Sequence, residues 1–214
     1  YCKGLLTTIE VTVIALIIDV VLGVMVALIR TAHDQQRPGH RTPFLGVINF
    51  VCKVYVTVLR GTPMMVQLLI MGLVIFASNR NKTLIGALSL GINSGAYVAE
   101  IFRSGIMSID PGQMEAGRSL GFGYVATMRH IILPQAFKNV LPTLANEFIV
   151  LLKETAVAGY VGLNDLTYVG NIIGGNAYDY LFPLLISALV YLTLVMFFTF
   201  LVGKLERRLR NSER

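Results

Sequence analysis

The sequence is poor in charged residues. Asp, Glu, Lys and Arg together make up only 14% of its 214 residues, and hydrophobic residues make up 55%. Soluble globular proteins average about 25% charged residues. The deficit argues against a large water-soluble domain and indicates a protein that lies in a lipid bilayer.

The sequence also lacks motifs that are typical of metal-binding proteins, of ATPases and of proteins with a cleaved signal peptide. The spacing of the only two cysteines, Cys2 and Cys52, matches no metal site, and we expect two unpaired thiols. No phosphate-binding loop of the form G-x-x-x-x-G-K-[ST] occurs, so we do not expect this chain to hydrolyse ATP. The first apolar run is long and is followed by no small-residue cleavage pattern, which argues against a signal peptide. We therefore predict no catalytic, cofactor-binding or metal-binding residues.

Apolar runs of spanning length dominate the chain. A membrane-spanning helix needs roughly 20 mostly apolar residues. The sequence predicts an all-α membrane protein, a single transmembrane domain of residues 1–214, with five spans at about 5–29, 44–77, 84–107, 136–160 and 180–202. The second run is too long for one straight crossing, and we expect it to bend at Arg60-Gly61-Thr62-Pro63, where proline removes a backbone donor.

The net charge of +6 points to a membrane orientation rather than to nucleic acid, because basic residues gather at the ends of apolar runs. Loop 31–42, loop 108–134 and the tail 204–214 share one side, and short basic loops face the cytoplasm. Their basic residues are Arg37, Arg41, Arg118, Arg129, Lys204, Arg207, Arg208, Arg210 and Arg214, against Lys3, Arg80 and Lys82 on the other side. We therefore expect an external N-terminus and a basic cytoplasmic tail that meets the lipid surface.

The loop between the third and fourth spans, residues 108–135, has the pattern of two short helices in water; we call it the two-helix loop. Asp110 can cap a helix that begins at Pro111, and Gln113 completes a capping-box pattern. Gly121 can end this helix in the left-handed conformation. A second helix is expected over 124–132, and Pro134 is expected to stop it before the next span. Such a rigid unit suits contact with a soluble partner.

The two-helix loop carries a motif with long, specific spacing. Glu115-Ala116-Gly117, then Gly121, then Ile131-Ile132-Leu133-Pro134 resembles the E-A-A-x3-G-x9-I-x-L-P signature of permease subunits in ABC importers. The second Ala of the signature is Gly117 here. Residues 60–67, 96–101, 112–113, 133–136 and 151–155 resemble the polar amino-acid uptake branch, with Thr57 and Glu154 departing from its commonest residues.

This resemblance implies a bacterial cytoplasmic-membrane importer that works with several partners. It implies a dimer of cytoplasmic ATPase subunits that bind ATP and Mg²⁺, a second permease subunit (a copy or a paralogue) and an external amino-acid-binding protein. The implied ATPase-coupling residues are Glu115, Ala116, Gly117, Gly121, Phe122, Ile131, Leu133 and Pro134. This chain would then bind no cofactor or nucleic acid itself, and lipid would surround it.

Polar residues at membrane depth tend to mark pathways or paired structure. We expect the substrate pathway to include Thr62, Met64, Gln67, Asn93, Tyr97, Glu147 and Glu154. Glu147 and Glu154 are seven residues apart and share a helix face, which suits an ammonium or cationic side chain. Gln67 and Asn93 can equally hold helices together. Glu100 and Arg103 can form an ion pair one turn apart, and Asp19 receives no role.

An ion-driven secondary transporter is the alternative from a different class, because such proteins also use intramembrane carboxylates. They usually show broken helices in both halves of the chain, and only one clear break is evident here. A membrane protein that only docks a cytoplasmic partner would not need Gln67, Asn93 and Glu154 at depth.

Overall fold

The structure is a computed structural model that describes residues 1–36 and 42–211, and it is helical without strands over those residues. Arg37, Arg41 and Arg214 of the charge count, and the side chain of Arg210, lie outside the described residues. The first half contains helices α1 (Cys2–Asp34), α2 (Pro43–Gly61), α3 (Met64–Leu69) with a π-helical continuation (Ile70–Ile75), and α4 (Lys82–Met107).

The two-helix loop and the second half follow α4. The loop contains α5 (Pro111–Ser119) and α6 (Tyr124–Thr127), which continues as a π-helical turn (Met128–Ile132). Then come α7 (Leu133–Glu154) with a 3-10 extension (Thr155–Val161), α8 (Leu166–Ala177) and α9 (Leu181–Asn211). The prediction of an all-helical fold is confirmed, whereas α8 was not predicted.

Four helices of the described chain are long and apolar enough to cross a membrane: Cys2–Asp34, Pro43–Gly61, Lys82–Met107 and Leu181–Leu209. They overlap the first, second, third and fifth predicted spans, and Pro43–Gly61 covers only the first part of the second. The fourth predicted span falls on α7 and its 3-10 extension, and α7 is not among the four. Its polar residues, which include Lys138, Asn146 and Lys153, lower its hydropathy.

Helix α4 lies at the centre of the fold, packed against α1, α2 and α7. One core cluster joins Val11 of α1, Leu68 of α3, Leu90 of α4 and Leu151 of α7, all fully buried. Large apolar side chains of α9 are instead exposed, among them Phe182, Phe197 and Phe200. Exposed apolar surface of this extent is typical of a face that meets lipid.

The predicted break in the second apolar run is confirmed. Helix α2 ends at Gly61, Thr62 and Pro63 are extended with ψ of 147° and 133°, and α3 begins at Met64. Pro63 has no N–H to donate to the carbonyl of Leu59 four residues earlier, so the helix cannot continue unchanged.

The expectation that Pro134 stops the second helix of the loop is wrong. The backbone stays helical from Tyr124 through the π-helical turn into α7, with Pro134 in the first turn of α7. A π-helical turn shifts the hydrogen-bond register, and a proline in the next turn then costs little because its missing N–H has no α-helical partner to lose. Residues Tyr124 to Glu154 therefore form one continuous helical rod.

Ion pairs join α1 to α4 near the two-helix loop. The Arg30 guanidinium pairs with Glu100, and Arg103 lies 3.3 Å from Glu100 and 3.5 Å from Asp34. The predicted Glu100–Arg103 pair is confirmed, and the structure extends it across helices.

Candidate functional site

A polar groove of about 420 Å³ runs between the end of α2, α4 and α7. Arg60, Tyr97 and Glu147 line it, so a cation, an aromatic ring and a carboxylate share one cavity. The Arg60 guanidinium carbon lies 5.3 Å from the centre of the Tyr97 ring, within the range of a cation–π contact. Opposite charges in one groove suit a ligand that itself carries both signs of charge.

Arg60 is a charged groove residue that the sequence interpretation did not assign to the substrate pathway. It was treated only as part of the helix break, although a cation within an apolar run is itself a signal of function. The end of α2 places Arg60 over α4 because the extended residues Thr62 and Pro63 turn the chain away at that point.

Gln67 and Asn93 lie beside the helix break and hydrogen-bond to each other. The Asn93 amide donates to Gln67 Oε1 (2.9 Å) and to the Leu59 carbonyl (3.2 Å), and Gln67 Nε2 also donates to the Leu59 carbonyl (2.9 Å). Leu59 has the carbonyl that the missing N–H of Pro63 leaves free. Two side-chain amides thus satisfy a backbone acceptor that the break leaves without a helical partner.

The other predicted pathway residues lie at the helix break, in the groove and at the end of α7. Thr62 is exposed and its hydroxyl donates to the Val58 carbonyl (2.8 Å), while Met64 packs against the core cluster of α1, α3 and α4. Glu154 is half-buried at the end of α7, two turns beyond Glu147. Of the seven predicted pathway residues, the groove brings together Tyr97 and Glu147.

Helix α5 of the two-helix loop is capped at both ends. The Asp110 carboxylate accepts a hydrogen bond from the Gly112 N–H (2.7 Å), whereas the Gln113 side chain accepts from Gln135 (3.4 Å) instead of closing a capping box. Gly121 has φ of +85°, as predicted, and the Phe122 N–H donates to the Gly117 carbonyl (3.0 Å). This is a Schellman ending, which holds the turn rigidly.

The motif residues of the loop divide into two groups. Glu115, Ala116, Gly121, Phe122 and Pro134 are exposed, whereas Gly117 is buried and Ile131 and Leu133 are half-buried. Ile131 and Leu133 pack against the cluster of Ile106, Met128, Ile132 and Ala136. One face of the loop is thus joined to α4 and α7, and the other is free to meet a partner.

Comparison with known proteins gives consistent matches. Residues 42–211 match the family described as "Binding-protein-dependent transport system inner membrane component". The arginine transport system permease protein ArtQ of Bacillus subtilis (strain 168) is 36% identical over 99% of this chain and 93% of its own length. The putative glutamine transport system permease protein GlnP of Rickettsia bellii (strain RML369-C) is 36% identical over 97% and 91%.

Solved structures agree with these matches. A chain from the crystal structure of an amino acid ABC transporter with histidines superposes with a TM-score of 0.84 and 42% identity, over 97% of this chain and 92% of that one. A chain of the MetNI methionine ABC transporter in an inward-facing conformation gives a TM-score of 0.82 over 97% and 95%. At 19% identity, the second match shows a shared fold.

Proposed function

The chain belongs to the family of binding-protein-dependent transport system inner membrane components, the permease subunits of ABC importers, and we propose that it forms the amino-acid path of an ATP-driven importer in a bacterial cytoplasmic membrane. A separate ATPase binds ATP and Mg²⁺ and hydrolyses the nucleotide. A second permease subunit completes the path, and an external binding protein delivers the amino acid. The single observation that carries this proposal is the doubly capped α5 with its exposed motif residues.

In the proposed topology the chain crosses the membrane five times, with α7 as the fourth crossing and the N-terminus outside. Helix α7 can cross despite its polar residues because α4 and α1 cover one side of it. The two-helix loop then lies in the cytoplasm, where Glu115 and Ala116 face the ATPase. The continuous rod from Tyr124 to Glu154 would carry a movement of the loop directly into the membrane.

The coupling proposal is tested by changing one glycine of the loop. Gly121→Val places a β-branched residue at φ of +85°, a conformation that such residues rarely adopt, and disrupts the Schellman ending. We expect the variant to lose co-purification with the ATPase subunit and at least tenfold of amino-acid-stimulated ATP hydrolysis. Gly123→Ala is the matched control, because Gly123 has φ of −69° and its added Cβ meets no atom within 4 Å. Equal behaviour of the two variants would count against coupling through this loop.

We propose a polar amino acid, with a preference for a basic side chain, as the substrate. Glu147 offers a carboxylate to an ammonium group and Arg60 a guanidinium to a carboxylate, while Glu154 lies two turns further along α7. The relatives named for arginine and glutamine transport support a polar side chain.

Uptake by the assembled transporter tests the substrate proposal. A hydrogen bond to a charged group contributes about 1.5–3 kcal/mol, and about 1.4 kcal/mol corresponds to a tenfold change. Glu154→Gln should therefore raise KM for arginine about tenfold and leave KM for glutamine within about twofold. Glu147→Gln should raise KM for arginine and for glutamine about tenfold, because both amino acids carry the ammonium group that Glu147 binds. Unchanged arginine kinetics in either variant would remove that glutamate from the path, provided the variant still assembles with the ATPase.

A further inference from the structure

Asp19 is an acidic side chain that neither the groove nor the loop uses. It lies in the middle of α1, is 0% exposed, and its Oδ1 atom has no hydrogen-bond partner. Among the ion pairs of the described residues, none includes Asp19 or Glu147. An unpaired carboxylate in such surroundings costs far more than a neutral acid.

The other carboxylate oxygen of Asp19 contacts Ser94 of α4, and Ser94 also contacts Glu147 of α7. The Ser94 Oγ atom lies 2.8 Å from Asp19 Oδ2 and 3.0 Å from Glu147 Oε1. A serine hydroxyl has one proton, and an ionised carboxylate can only accept. Ser94 therefore donates to one acid, and its contact with the other is a hydrogen bond only if that acid carries a proton.

The surroundings decide which acid carries the proton. Glu147 is half-buried and lines the polar groove, whereas Asp19 has no exposed surface. Charge is less costly on the better solvated group. Tyr55 of α2 lies close to Asp19 where both meet Gly95, but its hydroxyl donates to the Ile92 carbonyl (2.7 Å) and has no second proton to give. Glu154, near Glu147 on α7, is also acidic, and the Arg60 guanidinium shares the groove with Glu147 and favours a negative charge there.

We propose that Asp19 is a proton-binding site: a neutral acid that donates its proton to Ser94, which in turn donates to an ionised Glu147. The resulting chain of hydrogen bonds links α1, α4 and α7 and ends at the wall of the groove. The two acids together then carry one negative charge, located at Glu147. The proton is the proposed ligand, because Ser94 fills the space directly between the acids and the described residues contain no cluster that could hold a metal ion.

Infrared spectroscopy of the purified transporter, assembled with its ATPase in lipid and free of amino acid, tests this site independently of transport. The wild-type complex should show a carboxylic-acid C=O band at neutral pH that shifts in D₂O. Asp19→Asn should remove the band. Glu147→Gln should keep it at a shifted frequency, because the acceptor of the Ser94 proton changes. Glu206→Gln, a control on the exposed surface near the C-terminal end of α9, should leave it unchanged.

Ser94→Ala provides a second test that keeps both acids in place. Removal of the hydroxyl takes away the acceptor of the Asp19 proton, so the band should move to the frequency of a less strongly hydrogen-bonded acid. The proposal is overturned if the wild type shows no such band, if Glu147→Gln or Glu154→Gln removes it, or if Ser94→Ala leaves it in place.

Discussion

Gly117 shows how a single departure from the family signature is matched by its surroundings. The signature has Ala at this position, yet a Cβ added at Gly117 would lie 2.5 Å from Thr127 Cγ2 and 2.8 Å from Thr127 Oγ1. Thr127 is fully buried, and its hydroxyl donates to the Gly123 carbonyl (3.1 Å). Gly117 and Thr127 thus form a complementary pair that holds α5 against α6.

We expect Gly117→Ala to destabilise the two-helix loop, because the added methyl group forces two packed helices apart. Overpacking of this kind costs about 1–3 kcal/mol. The thermal unfolding midpoint of the purified transporter should fall, and Thr127→Ala in the same chain should restore part of the loss. A double variant whose loss equals the sum of the two single losses would show that the two residues do not act as a pair.

Residue spacing predicted the helix cap and the glycine turn of the two-helix loop, but it did not predict the hydrogen bonds from Asp19 through Ser94 to Glu147. The reason is physical. Asp110 and Gly121 act through neighbours within a few residues, so their local pattern predicts the cap and the left-handed turn that the structure confirms. Asp19 acts through Ser94, 75 residues away in the chain, and through Glu147 beyond it. Only the packing of α1, α4 and α7 brings these three side chains together.

At the scale of elements, the sequence predicted the helix break at Pro63 but not the helix that continues through Pro134. The reason is again that local residue patterns predict only local structure. Pro63 breaks the second apolar run because it follows an ordinary α-helical turn. Pro134 does not interrupt its rod because a π-helical turn precedes it, and no local residue pattern announces that turn. Likewise α8 is short and half apolar, and packing against α1 and α9 stabilises it more than its own sequence does.

The hydrogen bonds at the break give a second prediction. Gln67→Met and Asn93→Leu each remove one of the two amides that donate to the Leu59 carbonyl, and each also breaks the hydrogen bond between Gln67 and Asn93. Each hydrogen bond lost costs about 0.5–1.5 kcal/mol. Each variant should lower the thermal unfolding midpoint of the purified transporter. Because both amides serve one carbonyl and each other, the double variant should show a coupling energy of at least about 0.5 kcal/mol.

Kinetics separate this structural role from a role in substrate binding. If Gln67 and Asn93 serve only to hold α2, α3 and α4 together, the variants that still assemble should keep the wild-type KM for amino acids. A rise in KM without a loss of stability would place the amides in the substrate path instead.

At the scale of the whole molecule, α4 connects the groove to the two-helix loop. Tyr97 and Glu100 of α4 face the groove, and Ile106, two turns further on, packs with Met128 and Ile132 of the loop. Asn139 of α7 donates to Ser108 (3.3 Å) where the groove meets the loop. In the proposed mechanism a displacement of the loop by the ATPase would therefore reach the groove through both α4 and α7.

The proposed orientation can be tested with the protein's own thiols. Cys2 is exposed near the N-terminus and Cys52 is buried in α2, so a membrane-impermeant maleimide has one accessible native target. With the N-terminus outside, the reagent should label Cys2 in intact spheroplasts, and Cys2→Ser should abolish that labelling. In the Cys2→Ser background, Ser119→Cys, at the exposed end of α5, should react only after the membrane is opened. Labelling of Ser119→Cys in sealed spheroplasts, together with no labelling of Cys2 in the wild type, would require the opposite orientation and place the two-helix loop beyond the reach of a cytoplasmic ATPase.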